Sequence, residues 1–194
     1  VSDNVAVGKC WYRFDYTNAT LTNCANTTFI AEEGFNNITV AANDTSGNIN
    51  ETKVNFTVDL TAPTITFIAP TDSSGINVSR LYTYINVTIS ETASIALLEW
   101  DGTNESMSGS GANWYINKTS VEGLHTYKVY ANDSVNNFGV SVTRTIRFDI
   151  TNPLILIQNP VNVTYNTSSV NLNFTVTDSV GISSCTRELD GSNA

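Results

Sequence analysis

Residues 56 to 70 read FTVDLTAPTITFIAP, and residues 146 to 160 read IRFDITNPLILIQNP. The same frame of alternating apolar residues, an aspartate, a threonine and a proline therefore recurs 90 residues apart. Self-similarity at a fixed period marks a repeat architecture and has to be read before any local pattern. Two further matches extend it. VAANDTSGN from Val40 recurs as VYANDSVNN from Val129, and SDNVAVGKCWYRFDYTNA from Ser2 recurs, offset by 175, as TDSVGISSCTRELDGSNA from Thr177. Residues 1–59 thus read as the back part of one repeat, 60–149 as a complete repeat, and 150–194 as the leading strands of a third.

Inside the complete repeat, short runs of alternating apolar residues are separated by turn residues, the pattern of an antiparallel β-sandwich. No stretch holds a helical period. Strands are expected near Thr64–Ile68, Tyr82–Ile89, Ile95–Trp100, Trp114–Asn117, Thr126–Asn132 and Val140–Ile150. On the second, Ile85, Val87 and Ile89 should face the core and Asn86 and Thr88 the solvent. Trp100 takes the place of the large core aromatic of such sandwiches, and Tyr127 that of a tyrosine corner, its hydroxyl bonded to backbone. The fold class is therefore all-β, with tandem immunoglobulin-like antiparallel sandwiches.

Composition limits the function. Only 14% of residues are charged and the net charge is -9, against roughly 25% charged residues in an average domain. Nucleic acid and anionic membrane surfaces require clustered Lys and Arg, so neither is an expected partner. No apolar run is long enough to span a bilayer, so membrane insertion within this segment is not expected, and any anchor or export signal is expected outside it.

The segments VDLTAPTI, ALLEWDGTNES, NWYINKT and HTYKVYANDSVNN resemble the immunoglobulin-like or fibronectin type III-like repeats of large archaeal and bacterial surface proteins. That resemblance implies an extracellular, cell-surface stalk, adhesin, surface-layer component or filament, N-glycosylated in archaeal versions, whose partners are neighbouring repeats and subunits.

Four kinds of site follow from the residues. N-x-S/T acceptor triplets begin at Asn18, Asn26, Asn37, Asn43, Asn50, Asn55, Asn77, Asn86, Asn104, Asn117, Asn132, Asn162, Asn166 and Asn173, where an exported protein carries N-linked glycans. Alternation on a strand yields the N-x-T spacing without any glycan, but Asn is disfavoured in strands, and alternation does not explain its choice. Cys10 and Cys24 are spaced for a disulfide between neighbouring strands, while Cys185, aligned with Cys10, has no partner in this stretch. Asp59 and Asp149 before the linkers, and Asp44 and Asp133 in the turns, offer hard oxygen ligands for calcium at repeat junctions; no other cofactor is expected. Turn geometry alone also selects these residues.

Catalysis lacks parts. His125 is the only histidine, expected as an exposed residue where a strand begins, so no nucleophilic triad can be assembled. A Glu91 and Asp101 pair reads more simply as turn and strand-end residues, and no enzyme is expected. Trp11, Tyr12, Trp114 and Tyr115 are a conceivable sugar platform, though strand aromatics are more often half-buried. The stretch from Ser106 to Ala112 is the one candidate for a divergent binding loop. The expected role is a structural rod joined by Pro63 and Pro153 linkers, with strand addition between subunits or a longer covalent chain as two ways to extend it. A carbohydrate- or receptor-binding module, or an accessory domain of a secreted enzyme, is the alternative.

Overall fold

A computed structural model describes residues 6–14, 17–189 and 192–193. Contacts divide the chain into two compact units, Val1–Ala62 with Asp133–Phe138, and Pro63–Asn132 with Gly139–Ala194.

In the first unit, β1 (Val7–Phe14), β2 (Thr17–Leu21), β3 (Gly34–Asp44) and β4 (Ile49–Val58) make one antiparallel sheet in the order β2-β1-β3-β4. A disulfide joins Cys10, buried on β1, to Cys24 in the short 3-10 turn Thr22–Cys24 after β2, with their Cα atoms 5.1 Å apart. Tyr12, Phe14, Phe29 and Phe56 gather nearby, the Phe14 and Phe29 ring centres 4.8 Å apart. Aromatic area concentrated in this way supplies the cohesion of a sheet whose buried apolar residues, among those described, are Cys10 and Ala41.

The second unit holds β5 (Ile65–Ile68), β6 (Ile76–Val78), β7 (Tyr82–Trp100), β8 (Thr103–Ser106), β9 (Ser108–Thr119), β10 (Gly123–Asp133), β11 (Phe138–Val140) and β12 (Arg144–Phe148). The main path runs β5-β7-β10-β12-β6, with β8 and β9 pairing β7 and β11 pairing β10. β6 lies parallel to β12, whereas β5, β8 and β9 are antiparallel to β7. The second and third expected strands are thus one 19-residue strand. Along its first half the odd-numbered residues Thr83, Ile85, Val87, Ile89 and Ala93 are buried, and along its second the even-numbered Ala96, Leu98 and Trp100. Ser94 and Ile95 both face outward, so one extra residue slips the alternation and bends the strand. Both halves then point into one core, closed by Trp114, Tyr127, Val129, Ile146 and Phe148.

Three expectations need correction. The Ser106–Ala112 stretch is no free loop: Met107 is buried and β9 begins at Ser108. A Cβ on Gly109 would fall 2.2 Å from the Asn113 carbonyl oxygen, so glycine serves there for close backbone approach. Tyr127 makes no tyrosine corner. Its hydroxyl is buried without a hydrogen-bond partner, and burial raises its pKa against the opposing charge of Arg144. The last expected strand is interrupted, and Ile150 lies outside it.

Beyond the second linker, β13 (Leu154–Asn159) and β14 (Asn173–Thr177) form an antiparallel pair, and β15 (Glu188–Leu189) and β16 (Ser192–Asn193) another. No helix among the described residues is long and apolar enough to cross a membrane.

Candidate functional site

The turn sequences that set the repeat build the same structure twice. Asp44 accepts hydrogen bonds from the Asn48 backbone N–H at 2.8 Å and from Asn48 Nδ2 at 2.7 Å. Asp133 accepts from the Asn137 N–H at 2.9 Å, Asn137 Nδ2 at 2.8 Å and the Val135 N–H at 2.8 Å. Each carboxylate therefore closes its own turn. The Asn48 bonds lower the pKa of Asp44; at Asp133 burial pulls upward and the bonds from Asn137 and Val135 outweigh it. Asn137 Nδ2 also donates to the Asp59 carbonyl at 3.0 Å, and carboxylate oxygens of Asp59 and Asp133 approach within 4.8 Å. Asp59 and Asp149 each accept the N–H two residues on, from Thr61 at 3.1 Å and Thr151 at 3.2 Å.

A second duplicated device escaped the sequence reading. The Glu33 carboxylate accepts the Leu60 N–H at 2.8 Å and the Thr61 hydroxyl at 3.1 Å. The Glu122 carboxylate, 89 residues later, accepts the Ile150 N–H at 2.5 Å and the Thr151 hydroxyl at 2.9 Å. The Ile150 N–H, then the Thr151 hydroxyl, lower the Glu122 pKa despite some desolvation. Each glutamate precedes the glycine that opens the next long strand, Gly34 or Gly123, which fixes its position beside the outgoing linker. The signal was the E-G pair shared by both repeats. In the second unit Pro63 is buried, and a Cβ on Gly139 would fall 2.0 Å from its carbonyl oxygen, so β11 runs hard against the start of this unit.

His125 is not the exposed residue expected. It is buried, with Nδ1 2.7 Å from Asp101 Oδ2 and Nε2 2.8 Å from the Val121 carbonyl oxygen. Its ring lies 5.1 Å from Trp100 and 5.3 Å from Phe148. Asp101 occupies the turn between β7 and β8, where Asp101 and Gly102 both have positive φ (48° and 84°), as a two-residue hairpin turn requires. Its other oxygen accepts the Thr126 N–H at 2.8 Å. Burial opposes ionisation of Asp101, but the bonds from Thr126 and His125 hold its pKa below the ordinary value. These groups staple a hairpin to a strand.

The acceptor asparagines stand at the surface. Asn18, Asn26, Asn37, Asn50, Asn55, Asn77, Asn104, Asn117, Asn162, Asn166 and Asn173 are exposed, and Asn43, Asn86 and Asn132 half-buried. Of the aromatic residues considered for a platform, Trp114 enters the core, Trp11 and Tyr12 are half-buried, and Tyr115 is exposed. Tyr115 shares the outer face of β7 and β9 with Tyr82 and Tyr84, which are also exposed. Cys185 is a free, exposed thiol.

No family model and no curated protein matches the chain. Among solved structures it is similar to the fibronectin(III)-like modules of CbhA from Clostridium thermocellum, at 19% identity and a TM-score of 0.34, over 76% of this chain and 80% of that one.

Proposed function

We propose that this chain is a non-enzymatic structural segment of an extracellular surface protein or filament, serving as a stalk, fibre, surface-layer or adhesin rod. The observation that carries this reading is the twice-built glutamate clamp at 33 and 122, which ties each outgoing linker to its own domain at both an N–H and a hydroxyl. Within each unit the glutamate holds two successive linker residues, Leu60 and Thr61 by Glu33 and Ile150 and Thr151 by Glu122, and a linker so held has less freedom than a flexible tether. The N-x-S/T triplets at exposed positions fit a glycosylated surface. Calcium between Asp59 and Asp133 would stiffen it further, which a melting temperature lowered by chelator would reveal.

Small-angle scattering tests the reading. The parent chain should scatter as a particle of narrow dimensions, and a Glu33→Ala, Glu122→Ala variant should broaden its distance distribution. A parent profile already typical of freely hinged domains would sink the rod.

Strand addition between subunits is the assembly form of the same proposal. It is favoured by the β13–β14 pair, whose Ile155, Ile157 and Phe174 are exposed. Concentration-dependent polymer growth in light scattering, abolished by Ile157→Lys, is the expected sign; a monomer at all concentrations would favour the covalent rod. The binding-module alternative draws on one observation, the exposed tyrosines of β7 and β9.

A further inference from the structure

The outer face of β7 and β9 is built from two copies of one five-residue string. Residues 84–88 read YINVT and residues 115–119 read YINKT. The strands are antiparallel and in a register that places Tyr84 opposite Asn117 and Asn86 opposite Tyr115. Directly opposed residues point to the same side of a sheet, and so do residues two apart on one strand. The four side chains therefore form a checkerboard, in which each acceptor asparagine has one tyrosine two residues before it and the other directly across. Ile85 and Val87 on β7 and Trp114 on β9 are buried, and Ile116, between Tyr115 and Asn117, packs against the same core, which fixes this face outward.

The two tyrosines have no role in the core. Tyr84 is 41% exposed and Tyr115 is 53% exposed. Tyr84 is steadied from one side by Tyr82, the ring centres 5.6 Å apart and steeply inclined, and Arg80 in turn lies 5.4 Å over the Tyr82 ring. Tyr130, two residues before the acceptor Asn132, makes a contrast: its hydroxyl donates to Glu99 at 2.7 Å and Lys128 covers its ring. The acceptors also differ. Asn117 is exposed, whereas Asn86 is half-buried, with its backbone N–H and carbonyl both bonded to the Thr71 hydroxyl.

We propose that Asn117 carries an N-linked saccharide whose first sugar packs its C–H face on Tyr84 and Tyr115, with the Asn86 amide hydrogen-bonding its hydroxyls. This rests on the reading of the chain as an exported glycoprotein. The covalent step is ordinary group transfer from a saccharide activated as a phosphate or diphosphate ester. Asn117 Nδ2 loses one proton and bonds to the anomeric carbon, and the phosphate leaves with the bonding pair. Tyrosine suits the seat because its ring is an apolar body with a polar rim, as a pyranose is. Directly opposed strand residues have Cα atoms about 4.5–5.5 Å apart, and the register sets Tyr84 directly across from Asn117.

The chain, secreted from a host that glycosylates N-x-T, would be examined by glycopeptide mass spectrometry and melted before and after enzymatic removal of its glycans. The same would be done for Tyr84→Ser, Tyr115→Ser and Asn117→Gln. All three positions are on the surface, so each variant should fold. Asn117 should be modified, and its glycan should raise the melting temperature of the second unit by about 2–4 °C. That gain should vanish in Asn117→Gln and fall by at least half in either tyrosine variant. An unmodified Asn117 in a chain glycosylated elsewhere would overturn the site and leave the glycoprotein reading standing, while a chain bare at every acceptor would overturn both. A gain unchanged by the tyrosine variants would remove the stacking. Binding of free N,N′-diacetylchitobiose to the deglycosylated chain, lost in the tyrosine variants, would assign the face to an external saccharide instead.

Discussion

Replacing His125 with alanine probes the part of the second unit that the sequence concealed. The imidazole is buried between Trp100 and Phe148, and truncating a ring of its size in a packed core costs about 2–4 kcal/mol. Leaving the Val121 carbonyl without its donor adds about 1 kcal/mol. The bond to Asp101 adds less, because that carboxylate is 41% exposed and solvent screens such a pair to about 0–1 kcal/mol. Together the loss should be about 3–6 kcal/mol. Urea unfolding followed by tryptophan fluorescence reads it, since Trp100 and Trp114 both lie in this unit. With a slope of about 1–3 kcal/mol per molar urea the midpoint should fall by more than about 1 M. His125→Phe separates the contributions: it keeps the stack, loses both hydrogen bonds, and should cost only about 1–2 kcal/mol. An alanine variant within about 0.5 kcal/mol of the parent, the scatter of an ordinary surface substitution, would refute the buried staple. A phenylalanine variant as damaged as alanine would show that the bonds, and not the stack, dominate.

Other outcomes follow from the same structure. Glu122→Gln should speed hydrogen exchange of the Ile150 amide, which the carboxylate now holds, and Glu33→Gln should do the same at Leu60; unchanged exchange at both would leave the clamp without effect. Converting Cys10 and Cys24 to serine opens a cross-link over 14 residues and should cost the first unit about 3 kcal/mol while the second melts as before, resolved by calorimetry. Ile85→Ala, at a wholly buried position, should cost the second unit about 2–5 kcal/mol in urea. Asp44, Asp101, Asp133, Glu99 and Glu122 are all held below their ordinary pKa. Their contribution is therefore complete above the unfolded values of 3.8 for Asp and 4.5 for Glu, and is lost as pH falls through the lowered folded values. Melting temperature should hold down to about pH 5 and drop below it, less steeply in Asp44→Asn and Asp133→Asn; a profile flat to pH 2 would contradict the turn bonds.

Much of the second unit was legible in its residues. Alternation alone placed Ile85, Val87 and Ile89 inside, and chain position placed Trp100 in the core, because a pleated strand with one dry face leaves no other solution. The repeated turns at Asp44 and Asp133 were visible for the same local reason: a short acidic side chain closes its own turn. Less could be read where several chemistries share one residue type. Asp59 and Asp149 offer the same carboxylate to a cation and to a turn, and the fold shows each accepting the N–H two residues on. His125 read as polar and exposed because no local pattern shows that Trp100 and Phe148, 25 residues before it and 23 after, converge on its ring.

By itself the sequence determined the repeat and its period, which show as like residues at a fixed spacing, and also the all-β class and the inward face of Tyr82–Ile89, which depend on neighbours within a few positions along the chain. Only the tertiary structure decided that two expected strands are one bent strand and that Glu33 and Glu122 reach the outgoing linkers. It alone set Tyr84 across from Asn117. Those facts are contacts between residues about 30 positions apart, and such contacts depend on strand register and on where a single extra residue, at Ser94 and Ile95, turns the alternation over.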